Sequence, residues 1–313
     1  TALERTLDVE PRHIVAREGH NIIGILPILL SPVDVPNWLP VPEPLLPNEV
    51  ASLPLGYGGP LIQRHEEAVL EEFVKTLDGI GGGTVLASSM TIKDSSYLRY
   101  GQHLEANGYH PTLTTCRFII DLVGSKGELL AAMDSGRRRN LRKATNSAVS
   151  VRQRPLSESR LTAFYSAYER AMDRIGAEPY PLDLFQSIAT GLDDRAVLLT
   201  AVLDGDELGH HLIIDNIEQN TLHFLFSGIE ERYFDRYPAE LLHDHAIEWG
   251  LEEGYSHYDF GDTAADFTDG VFRYKTQYGG RLVPTTKWEK AQSGLWRLYR
   301  FGRRQYRKHY VLG

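Results

Sequence analysis

The same short design occurs twice in this chain, and that repeat limits its fold more than any other feature. Ala16-Arg17-Glu18-Gly19 is followed two residues later by Ile22-Ile23-Gly24, and Val202-Leu203-Asp204-Gly205 is followed at the same interval by Leu208-Gly209. Each copy reads as a strand, an acidic-Gly turn and a returning strand, the pattern of a β-hairpin. One hairpin is common in any β-containing protein. Two, at corresponding places in halves of similar length, favour tandem duplication. A chain of 313 residues has room for two such units.

Elsewhere the periodicity alternates between the two regular structures. In the first half, Ile14–Arg17 and Ile22–Leu30 read as strands, and Ser31–Pro47 is proline-rich and must be an extended loop. An amphipathic helix spans about Arg64–Leu77, a short strand Thr84–Ala87, a helix Ser95–Asn107 and a long strand Thr114–Leu122. The second half opens on a basic helix, Gly136–Ala144, then a strand, Val149–Arg152, and a helix, Ser157–Arg174. Pro181, at the first helical position, starts another helix to Leu192. Three strands follow (Ala196–Leu203, Leu208–Ile214, Thr221–Ser227), then the helix Pro238–Glu253, closed by Gly254. A strand, Tyr255–Phe260, a short helix near Val271–Tyr278 and a last strand to Trp288 complete the half, and Leu295–Tyr310 is a basic, aromatic helix. The expectation is a mixed α/β fold of two similar halves, residues 1–128 and 129–280, with 281–313 packing back on the first.

Composition excludes several functions. Thirty-three basic against 42 acidic residues give a net charge of −9, so nucleic acid could be held only by a local basic patch. The lone Cys116 rules out an intramolecular disulfide and a cysteine zinc cluster. Within Thr114–Ile120 it reads as a small buried hydrophobe, with a nucleophile as the alternative. No apolar run approaches the roughly 20 residues of a membrane span, so stable membrane insertion is not expected. His210 and His211 are adjacent on a strand and point to opposite faces. His243 and His245 stand two apart on a helix, the wrong spacing for a shared ligand face. No metal and no bound cofactor are expected.

Four segments resemble a known family. Tyr57-Gly58-Gly59-Pro60, the helix Arg137-Arg138-Arg139-Asn140-Leu141-Arg142-Lys143-Ala144, the strand end Tyr258-Asp259-Phe260-Gly261 and the run Gly270–Gly280 around Phe272-Arg273-Tyr274-Lys275 follow the order of the Fem-like transferases. These belong to the GNAT acyltransferase superfamily, and the meander, helix and strand from Ala196 to Gly261 look like a GNAT core. The resemblance implies tandem GNAT-like halves with a C-terminal helix, no cofactor, and transfer of an acyl or aminoacyl group from an activated donor, aminoacyl-tRNA or acyl-CoA. The acceptor would be an amine on a larger molecule, a cell-envelope precursor being one candidate, and the compartment the cytoplasm. It further implies catalytic roles for Lys275 and Asp259 and substrate contacts by Arg174, Tyr237, Arg138, Arg142 and Tyr57. For Asp259 a structural acceptor role competes, for Lys275 a solvated helix lysine, for Arg174 a helix C-terminal charge, for Tyr237 a packed tyrosine, and for Arg138 and Arg142, which could bind phosphates, a solvated helix face. Because GNAT halves open with a strand and helices before the hairpin, roughly 20–40 further residues are expected before Thr1.

Two departures bear on substrate. CoA-dependent GNAT enzymes carry a glycine-rich loop whose N–H groups cradle the pyrophosphate at a helix N-terminus. Here that loop reads Glu230-Glu231-Arg232-Tyr233-Phe234-Asp235-Arg236-Tyr237-Pro238, acidic and without glycine. Peptidoglycan-type members often carry Asp-Pro where this chain has Ser88-Ser89. A CoA-dependent N-acetyltransferase and a non-catalytic binding protein of the same fold are the alternatives.

Overall fold

The computed structural model describes residues 9–33, 47–52, 58–80, 85–93 and 95–296. The chain divides into two compact units: Leu3–Thr115 with Pro284–Gly313, and Cys116–Val283.

In the first unit, β1 (Glu10–Pro11) and β2 (Ile14–Glu18) run up to the acidic-Gly turn, and β3 (Asn21–Leu26) and β4 (Ile28–Pro32) return from it. The expected single strand Ile22–Leu30 is divided at Pro27, which lacks the N–H that a ladder needs. β2 and β3 pair with each other, and β3 also with β6 (Leu61–Ile62); β1 and β4 pair in the larger sheet. There β5 (Asn48–Ser52) lies antiparallel to β4, and β7 (Val85–Ile92) parallel to β5. The last strand among the described residues, Arg281–Ala291, pairs antiparallel with β7 through Thr286–Ala291. Helix α1 (Glu66–Gly79) buries Val69, Leu70, Phe73, Val74 and Leu77, a stripe at three- and four-residue spacing. Against it pack Leu26, Ile28, Val50, Met90 and Trp288. The expected helix Ser95–Asn107 is a 3₁₀ stretch, Ser95–Tyr100, leading into α2 (Gly101–Ala106). The strand β8 (His110–Asp121) then carries the chain into the second unit.

That unit opens on α3 (Lys126–Ala132), started by a Ser125/Glu128 capping box, and α4 (Ser135–Thr145), capped by Asp134. Next come β9 (Ser150–Pro155), α5 (Glu158–Arg174), α6 (Leu182–Leu192), β10 (Ala196–Leu203), β11 (Asp206–Asn216), β12 (Thr221–Ile229), α7 (Pro238–Glu253), β13 (His257–Ala264) and α8 (Gly270–Thr276). Pro181 caps α6 from outside rather than opening it. The strand order is β8-β13-β12-β11-β10-β9. The hairpin β10–β11, the antiparallel strand β12, the helix α7 and the parallel strand β13 repeat the succession of hairpin, β5, α1 and β7. The core joins Leu199, Leu208, Ile213 and Leu222 of the sheet to Leu242, Ala246 and Ile247 of α7.

Cys116 is buried in β8, its Sγ 3.8 Å from the Ala264 carbonyl oxygen, and burial pushes its thiol up. Among the described residues no helix is long and apolar enough to cross a membrane. Tyr57, Thr84 and residues 297–313 of the expected terminal helix lie outside the described residues.

Gly228 shows how closely α5 lies on β12. A Cβ there would stand 2.7 Å from the Tyr168 nitrogen and 2.9 Å from the Ala167 carbonyl carbon, both backbone atoms. Gly228→Ala is therefore expected to cost about 1–3 kcal/mol as an overpacked site. The shift of the urea midpoint measures it, and a midpoint within error of wild type would mean that α5 moves off freely.

Candidate active site

Parallel strands β12 and β13 pair only from Thr221/His257 to His223/Asp259. Beyond that point no pairs continue, although β12 runs on to Ile229 and β13 to Ala264. β12 also bulges there: Leu212 faces Phe226 and Ile213 faces Phe224, which leaves Leu225 without an opposite residue. The two strands thus part beside an irregular stretch of backbone.

Asp259 sits where they part, 1% exposed. Its Oδ2 accepts from Arg117 Nη1 at 2.7 Å and lies 3.2 Å from His223 Nδ1, while its Oδ1 accepts the Gly261 N–H at 2.9 Å. Burial favours the neutral acid, but the His223 hydrogen bond and the Arg117 charge win and hold the carboxyl at about 2. So weak a base suits positioning: Asp259 ties β8, β12 and the Gly261 turn together. Gly261 has φ of +70°, and a Cβ on it would meet the Phe224 carbonyl oxygen at 2.8 Å, so glycine is required there.

Lys275 reaches the same strand end from α8. Its Nζ donates to the carbonyl oxygens of Phe260 at 2.6 Å, Gly261 at 3.1 Å and Asp262 at 2.8 Å. The residue is 6% exposed, and its Nζ fixes three consecutive peptide units. The two residues expected to be catalytic therefore converge on one turn, Lys275 through its carbonyls and Asp259 through the Gly261 N–H.

The face toward α7 carries a buried aromatic cluster that the sequence does not announce. His243 of α7 and His211 of β11 have ring centroids 4.2 Å apart, and His243 lies 4.6 Å from Phe260 and 5.0 Å from Phe224. His243 Nδ1 is 2.7 Å from the Tyr258 hydroxyl. Burial, then the neighbouring His210, lowers His211 to about 3, and burial with nearby positive charge puts His243 well below the ordinary range. Both imidazoles are neutral at physiological pH. His210 projects to the opposite face, onto Phe164 of α5.

The remaining expected residues fall into separate places. Arg137, the first of the arginine run, is inward: it pairs with Glu240, donates to Gln277 Oε1 at 2.6 Å and lies 4.3 Å over the Tyr274 ring. Arg138 and Arg142 line a pocket of about 250 Å³ with Lys126, Leu130, Leu141 and Asp244. Tyr237 has left-handed backbone before Pro238, and its hydroxyl is 3.4 Å from Lys143 Nζ. Arg174 lies 4.9 Å over the Phe234 ring and reaches the Ile229 carbonyl oxygen at 3.4 Å. The segment between β12 and α7 is a 3₁₀ turn, Glu231–Arg236, and Glu240 places a carboxylate in the first turn of α7.

A core of this kind, with parting parallel strands joined by α7, has a counterpart among sequence families. Residues 135–276 match a family model described as the acetyltransferase (GNAT) domain. That match falls within the second unit. No curated protein matches the sequence. Solved structures share the fold at low identity. FemX matches with a TM-score of 0.67 and 14% identity, over 93% of this chain and 90% of that one. The C-terminal domain of a putative lysylphosphatidylglycerol synthetase from Agrobacterium fabrum gives 0.60 and 11%, over 95% and 88%. A tandem GNAT protein from the clavulanic acid biosynthesis pathway gives 0.55 and 12%, over 93% and 86%. The matched domain marks the chain as an enzyme, a transferase.

Sequence reading singled out Lys275 and Asp259 through the motif around them, and the structure brings both to the Phe260–Asp262 turn. The same reading missed Arg117 and His223, which stand in unremarkable strands, and His211 with His243, which meet only when α7 packs on the sheet.

Proposed function

We propose that the protein forms an amide bond, passing an acyl or aminoacyl group from an activated ester, aminoacyl-tRNA being the favoured carrier, to an amine on a larger acceptor in the cytoplasm. The observation that carries the choice of donor is the start of α7. A CoA pyrophosphate needs convergent N–H groups at that helix end. Here Pro238 has no N–H, Tyr237 is left-handed, the preceding turn lacks glycine, and the Glu240 carboxylate already occupies the positive end of the helix. In the reaction the amine nitrogen attacks the ester carbonyl carbon. The carbonyl oxygen becomes the oxyanion, the C–O bond to the carrier breaks, and the amine proton leaves with the carrier hydroxyl. Backbone N–H groups of β12 beyond His223 are suited to the oxyanion, with Lys275 and Asp259 holding the facing turn rigid. Arg138 and Arg142 would take carrier phosphates, and Arg174 and Tyr237 the acceptor. The repeated succession of strands and helix supports reading the first unit as a second GNAT-like copy.

Two titrations test this. Acetyl-CoA is expected to show no calorimetric binding at micromolar concentration. Charged tRNA is expected to bind, with an affinity that falls steeply with salt and is lost in Arg138→Glu/Arg142→Glu. Micromolar acetyl-CoA binding without tRNA binding would replace this reading with a CoA-dependent N-acetyltransferase.

A further inference from the structure

The second unit carries another pocket, at the edge strand of its sheet and on the α5 face. It encloses about 300 Å³ and is lined by Arg152, Arg154, Arg160, Thr200, Glu207 and His210, with Ser159 at its rim. Arg152 and Arg154 alternate along β9 and so share a face. Arg160 comes from the first turn of α5.

Two observations make this more than a basic surface. First, the three guanidinium groups have no carboxylate partner among the described residues. Arg154 Nη1 donates to the Gln153 carbonyl at 2.9 Å, and Arg160 Nη1 to the Pro155 carbonyl at 2.9 Å and Ser157 Oγ at 3.1 Å. Three positive charges against the single carboxylate of Glu207 leave two in excess, in a chain of net charge −9. The nearby Glu230 is paired with Arg170. Second, the floor is buried and polar. His210 is 3% exposed and Thr200 7%. His210 Nδ1 lies 3.0 Å from Thr200 Oγ1, whereas its Nε2 is 3.6 Å from Glu207 Oε2, beyond hydrogen-bond length. Burial lowers the His210 pKa despite Glu207 and Glu230, so the neutral ring offers Nε2 to a hydroxyl group.

We propose that this pocket binds a phosphorylated small molecule of sugar size, its phosphate on Arg152, Arg154 and Arg160 and its hydroxyls over Glu207 and His210. A phosphate dianion matches the excess of two charges, and forked guanidinium donors suit its oxygens. The positive end of α5, beside Ser159 and Arg160, adds to the attraction. The volume lies at the small end of ligand pockets, which fits a pentose phosphate better than a whole dinucleotide. The site is separate from the parting of β12 and β13 and does not depend on the reaction proposed there.

Calorimetric titration of the full chain with ribose 5-phosphate, inorganic phosphate and ribose tests the proposal. Ribose 5-phosphate is expected to bind saturably, inorganic phosphate more weakly, and ribose not at all. Arg152→Ser/Arg160→Ser should weaken ribose 5-phosphate by about ten-fold or more, equivalent to at least one decade in Kd, with an unchanged Tm because both side chains are exposed. Glu207→Gln should alter ribose 5-phosphate affinity while leaving inorganic phosphate binding nearly as it was. No saturable binding by either phosphate, binding that survives the double substitution, or inorganic phosphate binding as tightly as ribose 5-phosphate would each overturn it.

Discussion

Asp259→Ala is expected to be among the most destabilising single substitutions in the second unit, at about 3–5 kcal/mol in urea unfolding. The reason is what remains after the carboxylate is gone. Arg117 Nη1, in a side chain 13% exposed, loses a carboxylate oxygen at 2.7 Å, His223 Nδ1 loses a contact at 3.2 Å, and the Gly261 N–H loses the Asp259 acceptor. A buried charge without its counter-charge is far costlier than the pair is beneficial. The same carboxylate carries a pH signature. Its folded pKa, about 2, lies below the ordinary carboxylate value, so the unfolded chain takes up the proton first as pH falls. The stabilisation is complete above about pH 4 and is lost as pH drops through about 2, a contribution on the order of 2 kcal/mol. Asp259→Asn should flatten that part of the stability profile. An Asp259→Ala protein with an unchanged urea midpoint would show that the Arg117 contact is incidental.

How much of this site was legible beforehand follows from sequence distance. Helix α7 was readable end to end because Pro238 and Gly254 punctuate it, and both are local signals. The strands β10 to β12 were readable because turn residues separate apolar runs. Asp259 and Lys275 could be singled out because a short motif carries each. Arg117 had no such signal: its partner lies 142 residues away, and nothing in the alternation of β8 distinguishes a guanidinium facing the core from one facing water. His211 and His243 were set aside by their local spacings, yet packing brings the two rings to 4.2 Å. The arginine run shows the limit most plainly. Arg137 and Arg138 are adjacent and chemically identical, but a rotation of about 100° along the helix sends Arg137 onto Tyr274 and Glu240, and Arg138 into a pocket.

Lys275→Met is expected to cost about 3–5 kcal/mol and to abolish transfer, although it preserves the length and apolar stem of the side chain. The native ammonium satisfies three carbonyl oxygens at 2.6, 3.1 and 2.8 Å, all on the strand end that faces the bulge of β12. A buried acceptor left without a donor costs about 1–3 kcal/mol, and methionine supplies none. Water can relieve part of this only if the Phe260–Asp262 turn moves outward. Hydrogen exchange at Gly261 and Asp262, whose carbonyls Lys275 holds, should therefore rise. Arginine should not rescue, because a planar guanidinium cannot converge on three oxygens around one nitrogen and needs more room than a residue 6% exposed allows. A lysine that merely solvated the surface of α8 would change stability by no more than about 0.5 kcal/mol on replacement. A loss that small, with unchanged exchange at the turn, would remove Lys275 from the site. A large loss confined to the turn would instead tie the helix α8 to the rigidity of the strand end at Phe260–Asp262.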